Sequence, residues 1–320
     1  REGVRATLER HRGAVETLHR AAGHEQSSYG IAYREGLRAE TPDLLALLRA
    51  QRLLLADARV AFADADEQRG LRVLATMTRL ASSVEEESTL ITALVGIAAE
   101  RMMLAAACDA IASKEAWAAH DGFLDDLQAV TAGLDHGAMM RRVAGAWGAA
   151  VLHAVASGEY SMDLGPRGGT IDIPQDLTAA DLARARAVVD ELVTVPYGSD
   201  TEHFATAGER AGLADEGVGG DVKGFAKGIP RAQSVQAHRQ LLHAAIALRR
   251  MGRDAGSYPA QRPPIPELSE PDPFTGRPIS YSVDDDGAAV LVLDGAGDLL
   301  ERVASKAAAS VTPIVLPPPG

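Results

Sequence analysis

The sequence predicts a mainly α protein: stacked antiparallel helical hairpins of helical-repeat type, closed by a small C-terminal β-hairpin. Three observations predict it. Apolar residues recur at helical spacing over most of 1–156 and again over 231–252. Aromatic side chains make up only 4% of the 320 residues. The core must therefore be built from Leu, Ala, Val and Met, which suits close-packed helices better than a sandwich of strands. Finally, one stretch, EPDPFTGRPISYSV at 270–283, interrupts the helical pattern with turn residues followed by alternation.

The chain divides into a helical-hairpin body (1–156), a loop-rich insertion with one helix (157–230), and a third part (231–320). That last part holds a long helix, the hairpin at about 272–294, a C-terminal helix and a Pro-rich tail. Residues 1–23 read as one charged amphipathic helix. Thr41 as cap, Pro42 at the first helical position and Asp43 near the dipole open the next. Leu44, Leu45, Leu48 and Leu55 follow at helical spacing, and 64–70 reads as a turn. Val73, Met77, Leu80 and Val84 mark a second stripe. Ser83 and Glu86 have capping-box spacing for a third helix reaching about Ile111. Leu90, Leu94, Ile97, Leu104, Cys108 and Ile111 form one face of it, and Ile91, Ala98, Met102 and Ala105 another. A helix apolar nearly all round is a central one.

Two more helices are expected at 115–132 and 136–156. The stretch 157–176 is loop-like, with a short strand at Thr170–Ile173. Thr178 and Asp181 have capping-box spacing for a helix over 177–193. Residues 208–228 are glycine-dense and read as a mobile loop or a segment ordered by a partner. The units have the size of helical repeats but carry no tetratricopeptide consensus.

In the hairpin, Asp272 can hydrogen-bond the backbone ahead of it and Pro273 fixes φ. Gly276 can take the left-handed position, and Pro278 marks the start of an edge strand. Ile279, Tyr281 and Val283 alternate, 284–288 reverses the chain, and VLVL at 290–293 returns. A long helix ending at Gly256, then Tyr258-Pro259, then Asp272-Pro273-Phe274-x-Gly276-x-Pro278 and Tyr281, resembles the C-terminal half of type II secretion major pseudopilins. It is more similar still to a large family of uncharacterised, membrane-anchored extracytoplasmic bacterial proteins, whose helical body the run 52–100 also resembles. The resemblance implies an N-terminal anchor ahead of Arg1, a periplasmic or extracellular location, and the hairpin as a structural module. The chain departs from the pseudopilins in length and in lacking their calcium loop. Asp294 and Asp298 alone are too few for Ca²⁺, which takes about 6–8 oxygens, so no calcium is expected.

The chemistry-bearing residues form no complete set. A net charge of −12 argues against nucleic acid and against docking on anionic lipid. Cys108, the single cysteine, reads as a core residue, and no disulfide can form within the chain. Cysteine poverty fits an oxidising compartment. HEQSS at His24 lacks the second histidine of a zincin. His11 and His19 are two turns apart, and His120, His136, His153 and His203 have no partner at ligand spacing. His238 and His243 fall on different helix faces, and His238 reads as a satisfied histidine at the core margin. Neither GVGGDVKG nor GPRGGT has the context of a phosphate loop. The acidic runs at 85–87 and 284–286 read as solvated helix starts and turns. No catalytic residue, cofactor or metal ligand is assigned. The expected function is a non-enzymatic extracytoplasmic scaffold or accessory subunit of a membrane-associated complex, with protein partners. The alternatives are a pseudopilin-like component of a secretion or pilus assembly, and an enzyme of unrecognised class pairing His238 with an acid of the helical body.

Overall fold

The computed structural model describes residues 2–24, 43–84, 87, 89–113, 122–133, 135–157, 161–163, 170–172, 178–194, 204, 206–213, 218–273, 276–293 and 313–319. It is mainly helical, with a small antiparallel sheet at the C-terminal end. The first helical stretch is two helices, α1 (Glu2–Arg10) and α2 (Arg12–Ala22), not one. They break at His11, which leaves the helical region at φ −104, ψ 16. α3 (Leu44–Ala63) and α4 (Glu67–Ser82) follow, joined through Ala65 at φ 55. Thr41 and Pro42 lie outside the described residues, and Asp43 takes the N-cap position of α3 without a side-chain cap bond.

α5 (Leu90–Ala112) is central, as its composition requires: α3, α4, the helices His136–Ser157 and Val218–Ala255 and the last strand all pack on it. Its cap differs from expectation. Ser83 ends α4, and Thr89 with Thr92 forms the capping box. Thr92 Oγ1 substitutes for the glutamate that the spacing rule seeks. The face of Ile91, Ala98, Met102 and Ala105 is the more open one, with Ile91 exposed and the other three half-buried. The tightly buried faces include Ala93, Gly96, Ala99, Ala106, Ala107 and Ala110, small residues that let neighbouring helices approach.

α6 is shorter than expected, Phe123–Val130. α7 (His136–Ser157) precedes a two-stranded ribbon, β1 (Ser161–Asp163) with β2 (Thr170–Asp172). α8 (Ala179–Thr194) starts on the expected box: Thr178 Oγ1 accepts from the Asp181 N–H at 3.2 Å, and Asp181 Oδ2 accepts from the Thr178 N–H at 3.0 Å. α9 is the short Ala207–Ala211.

The largest correction concerns the glycine-dense segment. From Val218 it is helix, and α10 runs unbroken from Val218 to Ala255 through Pro230. The loop-rich insertion therefore cannot end at 230, which lies inside this helix. Its glycines serve packing. Gly224 and Gly228 stand one turn apart. A Cβ on them would come within 2.7 Å of Leu90 Cδ2 and 3.1 Å of Leu94 Cδ2. Two leucines of α5, also one turn apart, seat in the groove the glycines leave, as ridge-into-groove packing requires.

After α11 (Pro266–Ser269) come β3 (Ser280–Val283), β4 (Ala289–Val292) and β5 (Ile314–Leu316). The hairpin is thus part of a three-stranded antiparallel sheet in the order β3-β4-β5. The third strand comes from the stretch read as a polyproline-prone tail: Leu291 pairs with Ile314 and Ala289 with Leu316. The C-terminal helix expected after 294 lies outside the described residues. One apolar core runs continuously from Val15 to Leu316. A second, small one gathers Leu44, Leu47, Val84 and Val95 where α3 and α5 begin and α4 ends. Among the described residues, α5 alone is long and apolar enough to cross a membrane, and here it is the core helix.

Candidate functional site

Of the predicted hairpin residues, Tyr258 meets a buried arginine, and the others that the structure describes make contacts of their own nearby in sequence. Arg249, 1% exposed on α10, donates from Nη2 to the Ile111 carbonyl at 3.1 Å and from Nη1 to the Pro317 carbonyl at 2.8 Å. Ile111 lies in the last turn of α5, where carbonyls lack helical donors and favour a cation. Tyr258 packs its ring 6.0 Å from the guanidinium and donates its hydroxyl to the same Pro317 carbonyl at 3.1 Å. Tyr281 Oη donates to the Pro259 carbonyl at 2.6 Å. Burial pushes both tyrosines above the usual phenol value. Gly276 adopts φ +67, the left-handed position the turn calls for, and Pro278 bridges Pro271. Asp272 is buried, with its N–H on the Arg277 carbonyl at 2.8 Å. Pro273 is buried as well, and Phe274 lies outside the described residues. These groups bind sheet, tail and helices into one clasp.

The chemically richest place is elsewhere. Glu100 on α5 is 1% exposed. Its Oε2 stands 2.8 Å from His136 Nε2, off the line of an ideal hydrogen bond, and its Oε1 accepts from Arg239 Nη2. Burial alone would raise this carboxyl. The contacts to His136 and Arg239 outweigh it and hold the group below the usual carboxylate range. His136 is the first residue of α7 and is 4% exposed, and its Nδ1 has no hydrogen-bond partner among the described residues.

Above this cluster, α7, the end of α8 and the middle of α10 enclose a cleft of about 360 Å³. Met140, Leu192, Val193, Ile229 and Ala232 form its apolar wall. His136, Arg141, Thr194, Gln233 and Gln236 give its polar side. The His136 ring thus lies between the Glu100 carboxylate and the cleft, with its Nδ1 both buried and unpartnered among the described residues.

Three other histidines, His238, His243 and His19, are structural. His238 Nδ1 donates to the Ser234 carbonyl at 2.9 Å, and burial lowers its pKa, as befits a satisfied histidine at the core margin. Among the described residues it forms no ion pair with an acid. His136, with Glu100, takes the place expected of it. His243 and His19 are likewise held below the usual imidazole value by burial, against Thr131 Oγ1 at 3.4 Å and Thr76 Oγ1 at 2.7 Å. Among the described residues, no three His, Cys, Asp or Glu side chains gather as metal ligands. The Cys108 thiol, packed at the edge of the core, is pushed up to about 12 by burial.

Sequence reasoning passed over Glu100 and His136, which are 36 positions apart. The signal was there: Glu100 and Arg101 are the only charges between Thr89 and Cys108. An acid in the middle of a central apolar helix must find a cationic partner.

A third feature lies at the end of the bundle where α3 and α5 begin. Leu45, in the first turn of α3, is 60% and Ile91, in the first turn of α5, 50% exposed, and Leu44, Leu47 and Val95 of the same two helices belong to the small second core. Comparison of the chain with protein-family models, curated proteins and solved structures finds no match.

Proposed function

We propose that the chain is a non-enzymatic scaffold or accessory subunit of a membrane-associated protein complex on the extracytoplasmic side. The observation that carries this reading is the exposed apolar end. Large apolar side chains at half exposure or more, at the starts of two helices that share a small core, are what a partner surface offers. The net charge of −12 favours a protein partner over nucleic acid or anionic lipid. Location and anchorage rest on the resemblance of the Tyr258–Tyr281 segment alone. The test is a mild-detergent pull-down of the full-length protein from its native membranes, with mass spectrometry, beside a Leu45→Asp/Ile91→Asp variant. A stoichiometric partner lost in the variant supports the reading. A protein recovered alone, or a partner indifferent to the variant, overturns it.

A second reading, a pseudopilin-like component of a secretion or pilus assembly, draws support from the turn with Gly276 at positive φ. It predicts an apolar N-terminal helix with a prepilin cleavage site in the complete gene, which reading that gene decides.

A further inference from the structure

We infer that the open face of α5, between α3 and α10, is a docking groove for an acidic amphipathic helix. The inference rests on the partner-surface reading above and gives that partner its chemistry. α5 has the composition of a helix surrounded on every side, yet one side is open. At 3.6 residues per turn, Ile91, Ala98, Met102 and Ala105 fall within about 60° of one another. Ile91 is exposed and the other three are half-buried. To one side of this stripe, Val95 and Asp109 meet α3 through the small second core and the Arg59 ion pair. To the other, Leu90 and Leu94 meet Gly224 and Gly228 of α10. Both walls run in the direction of α5. Leu44 and Leu47 of α3 lie by Val95 and Arg59 by Asp109, while Gly224 of α10 lies by Leu90 and Arg249 by Ile111. The floor from Ile91 to Ala105 is about 21 Å long at 1.5 Å per residue. A straight groove of that length, with alanines at 98 and 105 in its floor and Leu48 and Leu55 on one wall, is the place of a further helix.

The rims set the charge of the occupant. Arg52 and Arg59 share the α3 stripe that reaches α5 at Asp109. Arg101 stands on α5, and Lys227, Arg231 and His238 share the facing stripe of α10. On these three stripes, among the described residues, the acid is Asp109, which Arg59 Nε engages at 2.7 Å. Burial and the neighbouring Arg231 guanidinium both press the Arg101 pKa down, and burial and Arg101 do the same to His238. Like charges held this close cost stability, and carboxylates docked over them would recover it. The groove is thus locally cationic in a chain of net charge −12. The same face of a second copy would be repelled, and a flat bilayer does not fill a groove sunk between two helices.

The test uses three synthetic helical peptides, each about 18 residues long to span the groove. They share one leucine stripe and carry Glu, Gln or Lys on its flanks. Each is labelled with fluorescein and titrated with the intact protein by anisotropy. The Glu peptide should bind one per chain, about fivefold more tightly than the Gln peptide, the change expected for two part-exposed ion pairs, and the Lys peptide more weakly still. Arg101→Gln/Arg231→Gln should erase the preference for Glu while the Gln peptide keeps its affinity. Ala98→Trp should fill the floor and weaken all three at least about tenfold. If it does not fold, Ile91→Asp, at an exposed position, should weaken them instead. No binding of the Glu peptide, equal binding of Glu and Lys peptides, or a preference that survives the double variant overturns the inference. So does self-association lost in Ile91→Asp, which would make a second copy the occupant. Binding to phosphatidylglycerol vesicles that the Glu peptide displaces would make it a membrane and overturns the inference too. A groove blind to peptide charge, with the partner still retained in the pull-down, sinks this inference alone. A protein recovered alone sinks the reading above and this inference with it.

Discussion

Replacing Gly70 by alanine sets two known effects against each other. Gly70 lies inside α4, where alanine is favoured over glycine by about 1 kcal/mol on helix propensity alone. The site is not free, however. A Cβ there would meet the Phe62 ring, with Cζ at 2.5 Å and Cδ1 at 2.7 Å and Cε1 nearer still, all inside the 3.0 Å below which something must move. The ring is 4% exposed and meets Phe123 edge-to-face, with centroids 6.1 Å apart and planes at 74°, so retreat would disturb a second aromatic. Overpacking a tight core costs ~1–3 kcal/mol, and three overlapped ring carbons place this case at about 3. The net expectation for Gly70→Ala is a loss of about 2 kcal/mol, taking propensity from overlap. In a Phe62→Leu background the overlap is relieved, and the same substitution should gain up to ~1 kcal/mol, a coupling of about 3. Urea unfolding followed by far-UV dichroism on the four proteins measures both. Gly70→Ala at parental stability or above, or an equal penalty in the two backgrounds, would refute the packing argument.

Three further outcomes are expected. Glu100→Gln should cost ~3–5 kcal/mol, because it leaves the largely buried Arg239 guanidinium without its acid. A parental urea midpoint would show that the cluster does not hold the core. The depressed Glu100 carboxyl also fixes a sign with pH. Its contribution is present above the usual glutamate value of 4.5 and is lost as pH falls through its lower folded value, so the acid limb of stability should flatten in Glu100→Gln. Asp221, whose Oδ2 accepts from Trp147 Nε1 at 2.8 Å, is shifted the other way by burial. The fold favours its protonated form, so stability is fullest below 3.8 and declines as pH rises through the raised value. Asp221→Asn should therefore gain stability relative to the parent at pH 7 more than at pH 4, and the reverse order would contradict the assignment. Arg249→Met should speed amide exchange in β5 while α3 and α4 keep theirs, with a loss of about 3 kcal/mol for the Ile111 carbonyl left without the guanidinium and the Pro317 carbonyl left with Tyr258 alone. Unchanged exchange at 314–316 would refute the clasp.

What the sequence disclosed depended on the range of the physics involved. α5 was legible as the central helix because its composition is uniform around the circumference. Thr178 with Asp181 was legible because a cap is local. The glycines of α10 misled because local propensity counts glycine as a breaker, whereas Leu90 and Leu94, more than a hundred positions away, need the space at Gly224 and Gly228. Tertiary packing overrode propensity there. The third strand was hidden for a related reason. Pro313 and the prolines of 317–319 read as an extended tail, and only the edge of β4 turns Ile314–Leu316 into a strand. The left-handed Gly276 of the turn was readable, but the clasp was not, since Arg249 finds its two carbonyls 138 and 68 positions away. The cleft was the least legible. It needs α7, α8 and α10 placed together, and its key histidine was judged on neighbours in sequence rather than in space.

The buried guanidinium also governs the order in which the molecule can be completed. Three segments distant along the chain must all have arrived before Arg249 has both its carbonyls, so this junction closes late and reports that the rest is in place. Until Ile314–Leu316 docks, β4 presents an unpaired edge to solvent, beside the apolar Leu291 and Ala289 that β5 would cover. An open strand edge of that kind pairs with whatever edge it meets, including that of a second unfinished chain. The same seam that certifies the finished molecule is the most adhesive surface of the unfinished one, and conditions that delay its closing will be those under which the protein is lost to aggregates.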